Sequence, residues 1–178
     1  RFRDWLFAPS GDISGIAKLA PTLSERLPAF VKSGLPDESP ACLAFGMFLA
    51  DLHRTGCLQN PLTPAAEVAD RLAETTDTIR RLTAEAGQEV KSSYVLSQGR
   101  AVFAFEAGGP IAYRWQEGLE RLVSGPPDPA LNDFKTVAAA LKSFRALMLH
   151  AGSAEPGWDT LGPGQRRVVD RDLELTVA

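Results

Sequence analysis

Ser93-Tyr94-Val95-Leu96, Ala101-Val102-Phe103-Ala104-Phe105 and Ile111-Ala112-Tyr113-Arg114-Trp115 are three short runs rich in apolar and aromatic residues. Gln98-Gly99 punctuates the first gap and Gly108-Gly109-Pro110 the second, so the stretch reads as an antiparallel meander. Downstream, Ser124-Gly125-Pro126-Pro127-Asp128-Pro129 reads as a loop and Phe134 to Lys142 as a helix. Leu147-Met148-Leu149, Arg167-Val168-Val169 and Leu173-Glu174-Leu175 read as further short strands. Upstream the period changes from two to that of a helix. Thr63-Pro64-Ala65-Ala66-Glu67 opens a long helix, with Thr63 as cap and Val68, Leu72, Ile79 and Leu82 on one face, stopping at Gly87. A helix from about Pro40 to Arg54 precedes it, with Ser39 as N-cap and Pro40 at the first position. Between Ile13 and Lys32 the helical spacing is broken by Pro21 and Pro28, which predicts short pieces. Asp4-Trp5-Leu6-Phe7-Ala8 reads as a strand that ends in a turn at Pro9-Ser10-Gly11-Asp12. Helices in the first half and strands in the second predict an α+β layered domain.

A chain of 178 residues with 44% hydrophobic content can bury one sizeable core, so residues 1–178 are expected to form a single domain. The 19 basic and 22 acidic residues are mixed along the chain and leave a net charge of −3, which gives no basic face for nucleic acid or anionic lipid. No apolar run approaches the roughly 20 residues that span a bilayer, and the start Arg1-Phe2-Arg3-Asp4 is followed by too short an apolar stretch to read as a signal peptide. A soluble, cytoplasmic protein is expected. The chain opens on Arg1 within an extended segment, with no initiator methionine, which suggests processing or upstream residues.

Cys42 and Cys57 sit in apolar surroundings without CxxC spacing and read as small buried hydrophobes. Gly162-Pro163-Gly164-Gln165 lacks the Lys-Ser/Thr of a phosphate loop. No metal and no cofactor is expected. Trp5, Phe7, Phe103, Phe105 and Tyr113 are expected in the core, Arg166-Arg167 as a solvated pair, and His53 near a helix C-terminus, where positive charge is favoured.

The order of these pieces resembles class II glutamine amidotransferases, in particular the small stand-alone group similar to the ergothioneine-pathway γ-glutamyl hydrolase. Trp5-Leu6-Phe7-Ala8-Pro9-Ser10-Gly11-Asp12-Ile13 stands where that family has an apolar strand and an Asn-Gly turn. Gly34-Leu35-Pro36-Asp37-Glu38-Ser39 stands where it has a Gly-x-Thr-Asp-Ser-Glu loop. Ser97-Gln98-Gly99-Arg100 is similar to its Ser-Asp-Gly hairpin turn, and Ser153, Glu155, Pro156, Gly157 and Trp158 match its closing strand and loop.

The resemblance implies the four-layer αββα sandwich of N-terminal nucleophile hydrolases, here without its first strands. It implies hydrolysis of glutamine or a γ-glutamyl amide by an N-terminal Cys, whose own amine acts as base. No such nucleophile stands in this chain, so an upstream segment or a second chain carrying an N-terminal Cys is the implied partner. Lacking that complement, the sandwich would expose unpaired sheet edges. Ser10 and Gly11 would serve the oxyanion, although Ser10 offers a hydroxyl where the family has an Asn amide. A plain turn at these residues is the other reading. Asp37, with Gly34, would bind the substrate ammonium. Asp37 or Glu38 could equally complement the dipole of the helix that starts at Pro40. The departures at Ser10, Pro36 and Glu38 keep open an alternative, an inactive amidotransferase-like interaction module.

Overall fold

The computed structural model describes residues 1–60, 62–118 and 142–170, and the backbone of 175–177. The loop expected at 124–129, nearly all of the helix expected at 134–142, and residues 173–174 lie outside the described residues. Strand β1 (Leu6–Asp12) leads through a 3-10 turn (Ser14–Leu19) into helices α1 (Ala20–Arg26), α2 (Ala29–Lys32), α3 (Pro40–Arg54) and α4 (Ala65–Glu85). Strands β2 (Lys91–Ser97), β3 (Val102–Ala107), β4 (Ile111–Glu117), β5 (Arg145–Ala151), β6 (Asp159–Thr160), β7 (Arg166–Val169) and β8 (Leu175–Val177) follow.

The local signals explain most of these boundaries. Pro28 precedes α2 in an extended conformation and keeps α1 and α2 short. Pro40 occupies the first position of α3, and the Ser39 hydroxyl accepts from the Cys42 N–H at 3.4 Å, as expected of an N-cap. Leu43 to Leu49 are all buried, so α3 is enclosed on nearly every side. In contrast, α4 buries one face, through Val68, Leu72, Thr76, Ile79 and Thr83. Thr76 and Thr83 lie on that face without cost in unmet hydrogen bonds, because each hydroxyl donates to the carbonyl four residues earlier at 2.9 Å. The cap of α4 is Pro64, which makes no side-chain capping bond; Thr63 does not serve as the cap.

All strand pairs are antiparallel, in a five-stranded sheet of order β1-β2-β3-β7-β8 and a three-stranded sheet of order β5-β4-β6. The meander expected over 93–115 is therefore corrected: β2 and β3 form its hairpin, but β4 crosses to the other sheet. Gly108 makes this crossing possible at φ +98°, and Gly109 lies so close to Ser92 that a side chain would press on its backbone. Strand alternation then assigns the two faces of the large sheet. Tyr94, Leu96, Phe103, Phe105 and Val168 join the core against the helices. Val95 and Ala104, one residue out of phase, pack with Ile111, Tyr113, Leu147, Leu149 and Leu161 between the sheets. Among the described residues, helices, large sheet and small sheet thus form three successive layers of an α+β sandwich.

The N-terminal strand also differs from expectation. Pro9, Ser10, Gly11 and Asp12 do not turn; they continue β1 in register with Tyr94, Ser93, Ser92 and Lys91. The turn follows, where the Asp12 carboxylate accepts from the Ser14 N–H at 2.9 Å. Pro9 lacks a backbone donor, and it is tolerated because β1 is an edge strand.

Candidate functional site

The phase of β1 is set by Phe7, whose ring stacks on Phe45 and Tyr94 and lies tilted against Phe48 beneath the helices. Leu6, Ala8 and Ser10 consequently lie on the opposite face, the one that β2 and β3 turn toward the small sheet. That sheet leaves this part of β1 uncovered: Leu6 is 51% exposed, Ala8 is exposed and Ser10 half-buried. Ser10 is in register with Ser93, whose hydroxyl donates to the Gly109 carbonyl. Gly11 has φ +94°, and a Cβ there would collide with the Lys91 carbonyl and stand 3.1 Å from the Ser92 Cα. The close approach of the Lys91 and Ser92 backbone, together with the positive φ, thus requires glycine at this position.

Gly34 and Asp37 stand on the connection into α3. A Cβ at Gly34 would lie 2.7 Å from the Phe2 Cδ2, so the close approach of the Phe2 ring requires glycine. The exposed Asp37 carboxylate accepts from the Ser39 N–H at 2.8 Å. Hydrogen bonding from Ser39, by side chain and then backbone, and from Cys42 holds Asp37 below its ordinary acidity of 3.8, so it is ionised at neutral pH. The helix-start role thus has a visible contact. Glu38 accepts instead from the Ser24 hydroxyl at 3.3 Å.

Among the described residues no hydrogen bond or ion pair joins Ser10 or Gly11 to Gly34 or Asp37. None of the four lines the cavity of ≈ 570 Å³ in the helical layer beside Asp51 or the smaller one of ≈ 280 Å³ at the inter-sheet mouth around Leu147 and Leu149. Cys57 is buried and Cys42 half-buried, both as free thiols. His53 sets its ring against Phe30 and His150 against Trp158, so neither histidine meets a thiol. No group of three or more His, Cys, Asp or Glu suited to a metal occurs among the described residues.

No protein-family model matches the chain, and no curated protein is similar to it in sequence. Solved structures do match it in fold. A glutamine aminotransferase class-II domain protein from Silicibacter pomeroyi superposes with a TM-score of 0.65 at 12% identity, over 99% of this chain and 67% of its own. A protein described as a predicted glutamine amidotransferase from Pseudomonas aeruginosa superposes with a TM-score of 0.54 at 14% identity, over 98% of this chain and 60% of its own. The fold is that of a class II glutamine amidotransferase domain. Within this amidotransferase fold the Ser97–Arg100 stretch does form a hairpin, with Ser97 in register with Val102 and the Gln98 N–H bonded to the Ala101 carbonyl at 3.2 Å.

The two arginines read as a solvated pair are also part of the layered core. Arg166 bonds Asp70 of α4, while Arg167 points the other way, its guanidinium 5.4 Å from the Tyr113 ring centroid on the small sheet. Successive residues of β7 thereby tie the large sheet to both neighbouring layers. Period-two alternation in Arg166-Arg167-Val168-Val169 was the available signal, and the double charge obscured it.

Proposed function

We propose that this chain is the larger, C-terminal part of a glutamine amidotransferase or γ-glutamyl amide hydrolase of the N-terminal nucleophile type. An upstream segment or second chain would supply an N-terminal Cys. The observation that carries this reading is the uneven structural match: nearly all of this chain is covered, but only 67% and 60% of the two amidotransferase-fold chains. The open edge of β1 supports it, because a paired strand there would satisfy its backbone and cover Leu6.

In the completed site the thiolate would attack the side-chain amide carbon, and ammonia would leave as the tetrahedral oxyanion collapses to a thioester, which water then cleaves. Ser10 and Gly11 are the proposed oxyanion donors. Asp37, ionised and exposed, is the proposed partner of the substrate ammonium, with Gly34 beside it. The free thiols Cys42 and Cys57 suit a reducing cytoplasm.

A second reading, an inactive interaction module, is favoured by two observations: the Asp37 carboxylate is already engaged by the Ser39 N–H ahead of α3, and Ser10 offers only a hydroxyl. Ammonia release from glutamine and from γ-glutamyl amides by the complete gene product separates the two. Turnover abolished by iodoacetamide is expected. A folded complete product that releases no ammonia from any γ-glutamyl amide would establish the inactive module.

A further inference from the structure

Phe2 and Trp5 exchange two backbone hydrogen bonds, each 2.9 Å, and so close a two-residue hairpin turn at Arg3-Asp4. Arg3 takes φ +50° in this turn, and it is the one non-glycine residue with positive φ among the described residues. With only the first central residue left-handed, this turn favours Gly at the position of Arg3. An L-residue there is disfavoured because its Cβ crowds the following carbonyl. Local conformation thus argues against arginine where the sequence has one.

What Arg3 gains is its position. It lines a cavity of ≈ 400 Å³ at the hairpin end of the large sheet, together with Asp4, Gln59, Asn60, Gln98 and Arg100. Beneath them Trp5 is buried, with its indole N–H spent on the Leu58 carbonyl at 3.3 Å. Arg3 and Asp4 carry its charges at the turn. The Arg3 guanidinium makes no hydrogen bond or ion pair among the described residues and rests 5.6 Å from the Phe2 ring centroid. The side-chain amides of Gln59 and Gln98 are likewise unbonded among the described residues. Asn60 uses its carbonyl oxygen to accept from the Leu62 N–H at 3.0 Å, which leaves its NH₂ group as a donor. Residues with unspent side-chain donors therefore line one cleft from three separate stretches of chain.

We propose that this cleft binds a small oxyanion, a carboxylate or a phosphate, with the Arg3 guanidinium as its principal ligand. The planar fork of arginine matches two oxygens of either group, and the carboxamides supply further N–H donors. Ser10, Gly11, Gly34 and Asp37 take no part in it, so it does not depend on the proposed amidotransferase function.

The test is titration of the ¹⁵N-labelled 178-residue chain with inorganic phosphate and, separately, with acetate, at ionic strength held constant with NaCl. Saturable shifts are expected at the Arg3 Nε–H and at the side-chain amides of Gln59, Asn60 and Gln98, with the better anion naming the source. Arg3→Gly should weaken binding by about tenfold or more, the usual cost of a lost charge-assisted hydrogen bond, while leaving the melting temperature unchanged or raised. Arg3→Lys should bind at an intermediate level. Absence of saturable shifts with both anions overturns the proposal. So does binding that survives Arg3→Gly, or a melting temperature that falls in that variant, which would make the Arg3–Phe2 contact the reason for the arginine.

Discussion

Gly11 and Asp37 are the two proposed site residues whose surroundings make separable demands. At Gly11 the left-handed backbone and the Lys91 carbonyl both oppose a side chain. Gly11→Ala should lower unfolding stability by about 2–4 kcal/mol, from left-handed strain and steric overlap together, as read from urea denaturation. For Asp37 the sign follows from its lowered acidity constant. Its contribution is present above the ordinary value of 3.8 and is lost as pH falls through the lower folded value. The melting temperature of Asp37→Asn should therefore converge on that of the parent chain between about pH 5 and pH 2. A constant gap across that range would show that the carboxylate charge does not act there. If the proposed complete enzyme acts on glutamine, the same variant should raise its KM and leave kcat largely unchanged, the signature of lost ground-state binding.

At the scale of elements, α3 and β1 matter most for the candidate site. The start of α3 depends on one capping hydroxyl, so Ser39→Ala should cost about 1 kcal/mol in thermal or chemical denaturation. β1 is paired on one side only among the described residues, whereas β2 and β3 are paired on both. Hydrogen exchange should be faster at β1 amides than at those of Tyr94, Leu96 and Phe103. If the proposed complement exists, the β1 amides gain protection in its presence. Unchanged exchange would remove β1 from the interface. The helix boundaries at Pro40 and Arg54 were legible because caps and proline act within a few residues of themselves. Thr63 misled because its hydroxyl had a suitable position but Pro64 took the capping conformation.

Across the whole molecule, stability rests on the layer between helices and large sheet. Phe48 is fully buried and meets both Phe7 and Tyr94, so Phe48→Ala should cost about 3–5 kcal/mol by calorimetry and loosen β1 together with α3. A loss below 1 kcal/mol would mean that this layer does not hold the strand. The sequence by itself determined the α+β class, the apolar and aromatic core of Trp5, Phe103, Phe105 and Tyr113, the α3 cap and the β2–β3 hairpin. Each of these is written in residue type and short-range spacing. It also carried the resemblance that the amidotransferase-fold structures match, though not the activity. Only the tertiary structure decided that β4 leaves the meander for a second sheet, that Ser10 and Gly11 lie within a paired strand, and that Arg166 and Arg167 reach into opposite layers. The physical reason is common to all three: a period of two gives alternating faces but does not say what will cover each face. That choice is made by residues such as Phe7, Ala104 and Tyr113, whose partners lie far away in the chain.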